Sequence, residues 1–363
     1  MNRPTISGLD VTAHRIPTDA PEADGTLAWN ATTIVIVKLK ADDRTGIGYS
    51  YTHAAAARVI ADTLAPIVEG GDALAPAAAW EAMNRGVRNE GRAGITGSAI
   101  AAVDVALWDL KARLLDLPLT RLLGARCDSV PAYGSGGFTS YSIERLQRQL
   151  AGWVEAGIMR VKMKVGSRPA EDPARVHAAR QAIGPDAELF VDANGAYARK
   201  QALALAHRVA EDGVSWLEEP VSSDDLAGLR LIRDRAPAAM EVAAGEYGFD
   251  VYDFRRLLEA RAIDVMQPDA TRCGGVTGFL QAAELCRAHG VPLSAHTAPS
   301  LHAHLCCAVP NARHAEYFHD HARIEAMLFD GALEPRQGCL VPDDSRPGLG
   351  LEWRSDAAAR YRV

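Results

Sequence analysis

Lys162 and Lys164 flank a single methionine, and Asp192, Glu218, Glu246, Asp269 and His296 follow them at intervals of 23 to 28 residues. Each closes a short apolar run. Taken singly, an acid at such a place is a solvated carboxylate or a helix cap, and a histidine is a hydrogen-bonded core residue. Taken together they point to chemistry. Three successive runs end in carboxylates, at Asp192, Glu218 and Glu246. Gathered around one axis, these would repel strongly unless a cation sat among them. An all-oxygen ligand set favours a hard ion, Mg²⁺, over zinc. Lys162 and Lys164 share one face of a strand, because side chains alternate with period 2. Two close ammonium groups lower each other's pKa, so one can act as a neutral base while the other meets a substrate carboxylate. Asp269 beside His296 would orient the imidazole and tune its basicity. The set offers a base on either face of a bound substrate. Abstraction of a proton α to a carboxylate gives an enediolate, whose charge a metal stabilises.

The elements that must position these residues follow from the pattern. Short apolar strands are expected at 130–135, 160–165, 189–194, 216–220, 241–246, 262–269, 292–297 and 314–319, with helices such as 143–156 and 200–212 between them. Apolar strands alternating with helices imply parallel strands joined by right-handed crossovers. Eight of them suggest closure into a barrel, whose strand C-termini share one face. The rival, an open doubly wound sheet, would carry a Gly-rich phosphate turn after its first strand, and GSGGF (134–138) does not fit GxGxxG. Before the barrel, strands at 31–40 and 45–51 precede helices at 54–67 and 97–115, an α+β unit. The segment 17–30 is expected to be a loop carrying Trp29. After residue 320 the helical pattern fades, and 338–353 is expected to return to the N-terminal unit.

The sequence has 363 residues and a net charge of −7, which disfavours nucleic acid and anionic membrane as partners. The run 95–115 is the most apolar helical stretch, but Asp104, Asp109 and Lys111 make it too charged to span a bilayer. Six cysteines without a CxxC pair suggest buried thiols in a reducing cytoplasm. Residues 1–15 show no basic start followed by an apolar run, so no secretory signal is expected. His302 and His304 have HxH spacing but fall on a helical stretch, where i and i+2 do not share a face. His314, His319 and His321 are expected to be ordinary polar positions. Two readings outside this chemistry are a class I aldolase using Lys164 as a Schiff-base nucleophile and a non-catalytic binding protein. The carboxylate trio speaks against the first, and the full set of acids and bases against the second.

In order along the chain, VKMKVG, VDANG, WLEEP, AGEYG, QPDATRCGGVTG and LSAHT resemble the enolase superfamily, in its mandelate racemase subgroup. AAVDVALWDLKARLLDLPLTRLLG (101–124) and PGLGLEW resemble that family's cap and tail. The resemblance implies an α/β fold, a modified (β/α)7β TIM-like barrel at 126–329. An α+β capping domain would be formed by residues 1–125 and the C-terminal segment 330–363. It implies Asp192, Glu218 and Glu246 as Mg²⁺ ligands, with Glu219 behind them. Lys164 and His296 become the two bases, with Lys162 and Asp269 as their modulators. Glu316 falls where such enzymes place an acid that hydrogen-bonds the substrate carboxylate. The segment 18–30 with Trp29, together with His53 and Asn194, would contact a small carboxylate substrate, and the cap segment would close over it. Asp269 stands where muconate lactonising enzymes and dipeptide epimerases carry a base lysine, which argues against those activities. Arg272 replaces the lysine of mandelate racemase. VPAYGSGGF (130–138) resembles the first barrel strand of talarate/galactarate dehydratases, so dehydration of an acid sugar to a 2-keto-3-deoxy acid is expected. A racemase or epimerase is the alternative, and a sugar-lactone cycloisomerase the third. The family implies a homo-oligomer, a dimer or an octamer.

Overall fold

The computed structural model describes residues 3–363, so Met1 and Asn2 of the expected cap range 1–125 lie outside the described residues. The chain opens with an antiparallel sheet of β1 (Ile6–Ala23), β2 (Ala28–Ala41) and β3 (Arg44–Tyr51), with β2 in the centre. β2 and β3 are the two runs that alternation marks. β1 corrects the expectation of a loop at 17–30. Pro17 and Pro21 look like loop residues, but on an edge strand a missing N–H is tolerated. Pairing with β2 slips between Pro17 and Glu22 and then resumes, Glu22 against Trp29. The segment is therefore a long hairpin with a short turn at 24–27.

A helical stretch from Ala55 to Val68, with a π-turn at Ile60–Leu64, meets the expectation at 54–67. The helix Pro76–Gly86 was not marked by periodicity; its proline stands in the first turn, where no N–H is needed. The helix Ile95–Leu114 is buried on nearly all sides. β3 lies so close to it that a Cβ on Gly48 would strike the Ala102 carbonyl. The two acids that interrupt its apolar run are anchors. Asp104 accepts from the Thr277 amide and hydroxyl at 2.9 and 2.7 Å, which ties this helix to the barrel. Asp109 accepts from Ile47 N, Leu349 N and Arg113 Nε at 2.7, 2.6 and 2.7 Å. No helix among the described residues is long and apolar enough to cross a membrane.

Eight parallel strands follow: β4 (Val130–Gly136), β5 (Arg160–Lys164), β6 (Glu188–Asp192), β7 (Val214–Glu218), β8 (Glu241–Ala244), β9 (Val265–Met266), β10 (Leu293–Ala295) and β11 (Ala312–Phe318). They pair in sequence order, and β11 closes on β4 through Glu316 opposite Tyr133. Seven helical crossovers join them, the expected (β/α)7β pattern. One further helix, His319–Leu328, comes after β11, where the helical pattern was expected to fade. Its Asp320, His321 and Glu325 are buried and blur the apolar rhythm.

The tail returns to the first unit. Leu119 N donates to Gly348 O at 2.7 Å, Arg15 N to Tyr361 O at 2.8 Å and Val363 N to Ala13 O at 3.0 Å. Asp109 thus joins β3, the long helix and the tail at one buried point. Replacing it (Asp109→Ala) strands two buried amides and leaves Arg113 with Glu352 alone as counter-ion, an expected loss of about 2–4 kcal/mol. Denaturant unfolding of the variant checks this, and a change below about 1 kcal/mol would contradict it.

Candidate active site

The inward positions of the barrel strands form two layers, as period 2 requires. The lower layer is aromatic: Tyr133, Phe190 and Trp216 pack with Ala243 and Val265, and Phe190 stacks on Trp216 at 5.1 Å. His314 packs its ring against Tyr133 at 5.0 Å and meets Ser294 Oγ at 2.8 Å. Two residues further along β6 and β7, the inward positions are Asp192 and Glu218. Register places Lys164 beside Asp192, and Asp192 beside Glu218. The spacing of the sequence therefore becomes lateral contact. Glu246, Asp269 and His296 do not end their strands but lie one to three residues beyond them. The turns that carry the chain off β6, β7 and β10 hold Asn194, Glu219, Thr297 and Ala298 at positive φ of 44°, 36°, 52° and 38°. Left-handed backbone costs of order 1–3 kcal/mol per such residue, and it aims neighbouring side chains at the mouth.

Asp192, Glu218 and Glu246 each place one carboxylate oxygen within 4.8 Å of the others. Glu219, Asp269 and Glu316 bring the buried carboxylates at this mouth to six, none more than 3% exposed. Against them stand the permanent cations Lys162, Lys164 and Arg272. Glu218 Oε1 and Glu219 Oε1 are buried and make no hydrogen bond, and Glu246 Oε2 has only the His296 ring nearby. A surplus of negative charge with unsatisfied oxygens is what a divalent hard cation would fit.

Lys162 Nζ sits 2.6 Å from Glu218 Oε2 and 2.9 Å from Glu316 Oε1, over the Tyr133 ring. Lys164 Nζ donates to Asp192 Oδ2. Burial opposes the charge on both lysines, but the surrounding carboxylates outweigh it, Glu218 foremost for Lys162 and Asp192 for Lys164, and raise both. This corrects the expectation that the pair depress each other: Lys162 does pull Lys164 down, but Asp192 overrides it. Burial and the Asp192 charge push Glu218 up to about 8 despite the ammonium beside it. Burial likewise lifts Glu316, but Lys162 and His296 hold it at about 2. It also accepts from Thr297 N at 3.0 Å.

His296 Nδ1 is 2.9 Å from Asp269 Oδ2, the expected pairing. Asp269 is fixed by Thr271 N and Thr271 Oγ1, at 2.7 and 2.8 Å to its other oxygen. His296 Nε2 lies 3.1 Å from Glu246 Oε2. Burial works against a charged His296, but Glu246 and the Asp269 hydrogen bond raise it to about 10. His302 Nε2 accepts from Ala270 N at 2.9 Å and its Nδ1 meets Thr297 O at 2.8 Å, so it braces the loops of the pair.

A cavity of about 210 Å³ opens between this mouth and the β1–β2 hairpin, too small for a bulky ligand. Lys164, Glu246, His296, Asn194 and Trp29 line it, as expected of a shared site. Trp29 Nε1 donates to Glu22 Oε2 at 2.8 Å. His53 does not belong to it: the side chain is exposed and its Nδ1 accepts from Ala55 N at 3.1 Å, as a turn residue would. Sequence reasoning did not place Tyr247, Thr32 and Phe318 at the site, and it had Asp24 only as part of the segment 18–30 and Arg272 only as a replaced lysine; all are on the cavity wall. His321, expected to be ordinary, also lines it and stacks on Tyr51 at 3.4 Å. The hairpin tip is docked on the mouth. A Cβ on Gly25 would strike Ala193 O, and Thr139 N donates to Ala23 O at 2.8 Å.

Residues 9–124 match the mandelate racemase/muconate lactonizing enzyme N-terminal domain, and residues 145–357 match the family described as enolase C-terminal domain-like. L-talarate/galactarate dehydratase of Salmonella typhimurium is 34% identical over 90% of this chain and 82% of its own length. Its structure with Mg and L-lyxarohydroxamate superposes with a TM-score of 0.91, covering 100% of this chain and 94% of that one at 30% identity. A 3,6-anhydro-alpha-L-galactonate cycloisomerase of Streptomyces coelicolor is 33% identical over 96% of this chain and 97% of its own. A mandelate racemase/muconate lactonizing enzyme-like protein from Rubrobacter xylanophilus is 53% identical, with a TM-score of 0.97, covering 99% of this chain and 100% of that one. With both domains matched and the acid trio, lysine pair and Asp–His pair gathered at one barrel mouth, the chain belongs to the mandelate racemase/muconate lactonizing enzyme family of the enolase superfamily.

Proposed function

We propose that this protein is an Mg²⁺-dependent hydro-lyase that dehydrates an acid sugar to a 2-keto-3-deoxy acid. The observation that carries the reading is that Lys164 and His296 line one cavity beside Glu246. The relatives include dehydratases and cycloisomerases, and all of these are named for an acid sugar or its lactone. Asp192, Glu218 and Glu246 would hold the cation, with Glu219 supporting them. Bound there, Mg²⁺ would offset the negative charge that develops on the substrate carboxylate.

The chain's own residues supply the rest. With the Asp192 charge that keeps Lys164 protonated offset by a bound cation, neutral Lys164 Nζ takes the proton from C2, and the electron pair passes into the carboxylate to give the enediolate. Lys162, held charged between Glu218 and Glu316, is fully buried and off the cavity wall, so it acts on that carboxylate through its charge and not by contact. Asp269 fixes His296 through Nδ1 and leaves Nε2 at the cavity. From Nε2 a proton goes to the C3 hydroxyl, which departs as water, and the enol left behind tautomerises to the 2-keto acid. Were His296 instead to return its proton to C2 from the other face, the same residues would give a racemase or epimerase. Docking of the hairpin at Gly25 narrows the mouth. A reducing cytoplasm suits six free thiols, four of them buried. The homo-oligomer rests on family membership alone.

Incubation with Mg²⁺ and a panel of acid sugars in D₂O, followed by proton NMR, tests the reaction. Loss of substrate with growth of a 2-keto-3-deoxy acid is expected. Deuterium at C2 with a new diastereomer and no elimination would make the protein an epimerase. Treatment with EDTA should abolish turnover, and added Mg²⁺ should restore it; full activity after chelation would remove the metal from the account. Lys164→Ala and His296→Asn should each lower kcat by roughly 10²–10⁴-fold. Only the variant that keeps the abstracting base should still exchange the C2 hydrogen. Normal turnover in either variant would overturn the role of the residue replaced.

A further inference from the structure

The acid-sugar reading leaves open what stands at the far end of the substrate. The wall of the cavity answers this through its charges. Besides Lys164, the only lysine or arginine on that wall is Arg272. Its guanidinium is engaged: Nη1 donates to Glu246 O and Oε1 at 3.1 and 3.2 Å, and Nε lies 3.5 Å from Asp269 Oδ2. Its charge is thus already shared between two buried carboxylates. His321 on the same wall is kept uncharged by burial and by the charge of His296.

The cap end of the cavity shows the opposite bias. Two of its donors are taken, Trp29 Nε1 by Glu22 and the Thr32 hydroxyl by Asp320, and the Asn194 amide carries no charge. Its acceptors are free. Asp24 is 8% exposed and turns Oδ1 into its own hairpin turn, where it accepts from Thr26 N and Leu27 N at 2.6 and 2.7 Å. Oδ2 makes no hydrogen bond, and among the described residues no cation lies within ion-pair distance of Asp24. Asn194 Oδ1 is likewise buried without a partner. Free acceptors beside an unpaired carboxylate suit groups that give hydrogen bonds and carry no charge. Hydroxyls do that. A second carboxylate, or a phosphate, would lose its water opposite Asp24 and gain no cation.

We propose that the cap end is a subsite for the uncharged, hydroxyl-bearing tail of a monocarboxylate. Asp24 and Asn194 accept its hydroxyl hydrogens, and Asp24 turns away substrates with an anion at both ends. The preferred substrates are then aldonates, and aldarates are excluded. This rests on the acid-sugar reading and sharpens it, and it departs from the diacid named for the Salmonella typhimurium relative.

The test measures kcat/KM of the Mg²⁺-loaded enzyme for hexonates and hexarates paired by configuration, with C2 hydrogen exchange followed in parallel. Hexonates should win by at least about 100-fold. Asp24→Asn keeps the Oδ1 acceptor of the turn and removes the charge, so the gap should narrow by about tenfold. Thr32→Lys, which adds a cation at the cap end, should narrow it further and serves where Asp24→Asn fails to fold. Hexarates turned over as well as hexonates would overturn the inference and leave the acid-sugar reading standing. A gap unchanged in both folded variants would also overturn it. No turnover and no exchange with either class would remove the acid-sugar reading, and the inference with it.

Discussion

Mutual repulsion among carboxylates is the constraint that organises this molecule. Six buried acids converge on one barrel mouth, and the lysines and arginine among them are too few to neutralise them. Such a cluster costs stability unless something holds each member in place. The aromatic layer beneath provides part of that hold. Trp216 Nε1 donates to Glu218 at 3.0 Å, and the ring of Tyr133 lies under Lys162. The remainder comes from loops set in left-handed backbone at Asn194, Glu219, Thr297 and Ala298. A barrel can carry this strain because its strands are locked on both sides by neighbours. An open sheet of the same strands would have had two free edges.

The chemical end of the site was legible because one βα unit separates each member from the next. A repeat in spacing is a one-dimensional property, and it survives folding as angular order around the barrel. That is why Lys164, Asp192, Glu218, Glu246, Asp269 and His296 could be named together, and why all eight strands were found close to their observed bounds. The cap end obeys no such repeat. Asp24, Thr32 and Phe318 meet across a hairpin and a strand end by tertiary packing alone. β1 was hidden by its prolines, which only an edge position permits. Arg272 was seen, but not its function as the shared counter-ion of Glu246 and Asp269, because nothing in the chain states which carboxylates will face it. His53 failed for the converse reason: a histidine near the cap looks functional, yet its ring only closes a turn.

Cap and barrel are joined by polar contacts as much as by apolar ones. Ser50 Oγ donates to Thr271 O at 2.6 Å, in the loop that also fixes Asp269. Tyr49 OH meets Glu325 at 2.8 Å, and Tyr51 stacks on His321 at the cavity wall. Asp104 binds Thr277, at the start of the helix that leaves the same loop. Buried hydrogen bonds of this kind have narrow geometric tolerance. They therefore fix the cap sheet relative to the Asp269–His296 pair more closely than greasy contact alone would.

That rigidity separates two tasks. Proton transfer needs Lys164 and His296 held to within a fraction of an ångström of a bound carbon, which strands and buried hydrogen bonds achieve. Choice of substrate needs a wall that can vary without disturbing them. The hairpin meets the barrel through backbone contacts at Gly25 and Ala23, while its side chains Asp24, Leu27 and Trp29 face the cavity. Backbone docking leaves the outward part of these side chains free to vary, while Asp24 Oδ1 shapes the turn and Trp29 packs on Phe138. The reaction class is thus written in the strand ends, and the identity of the acid in a few residues of one hairpin turn.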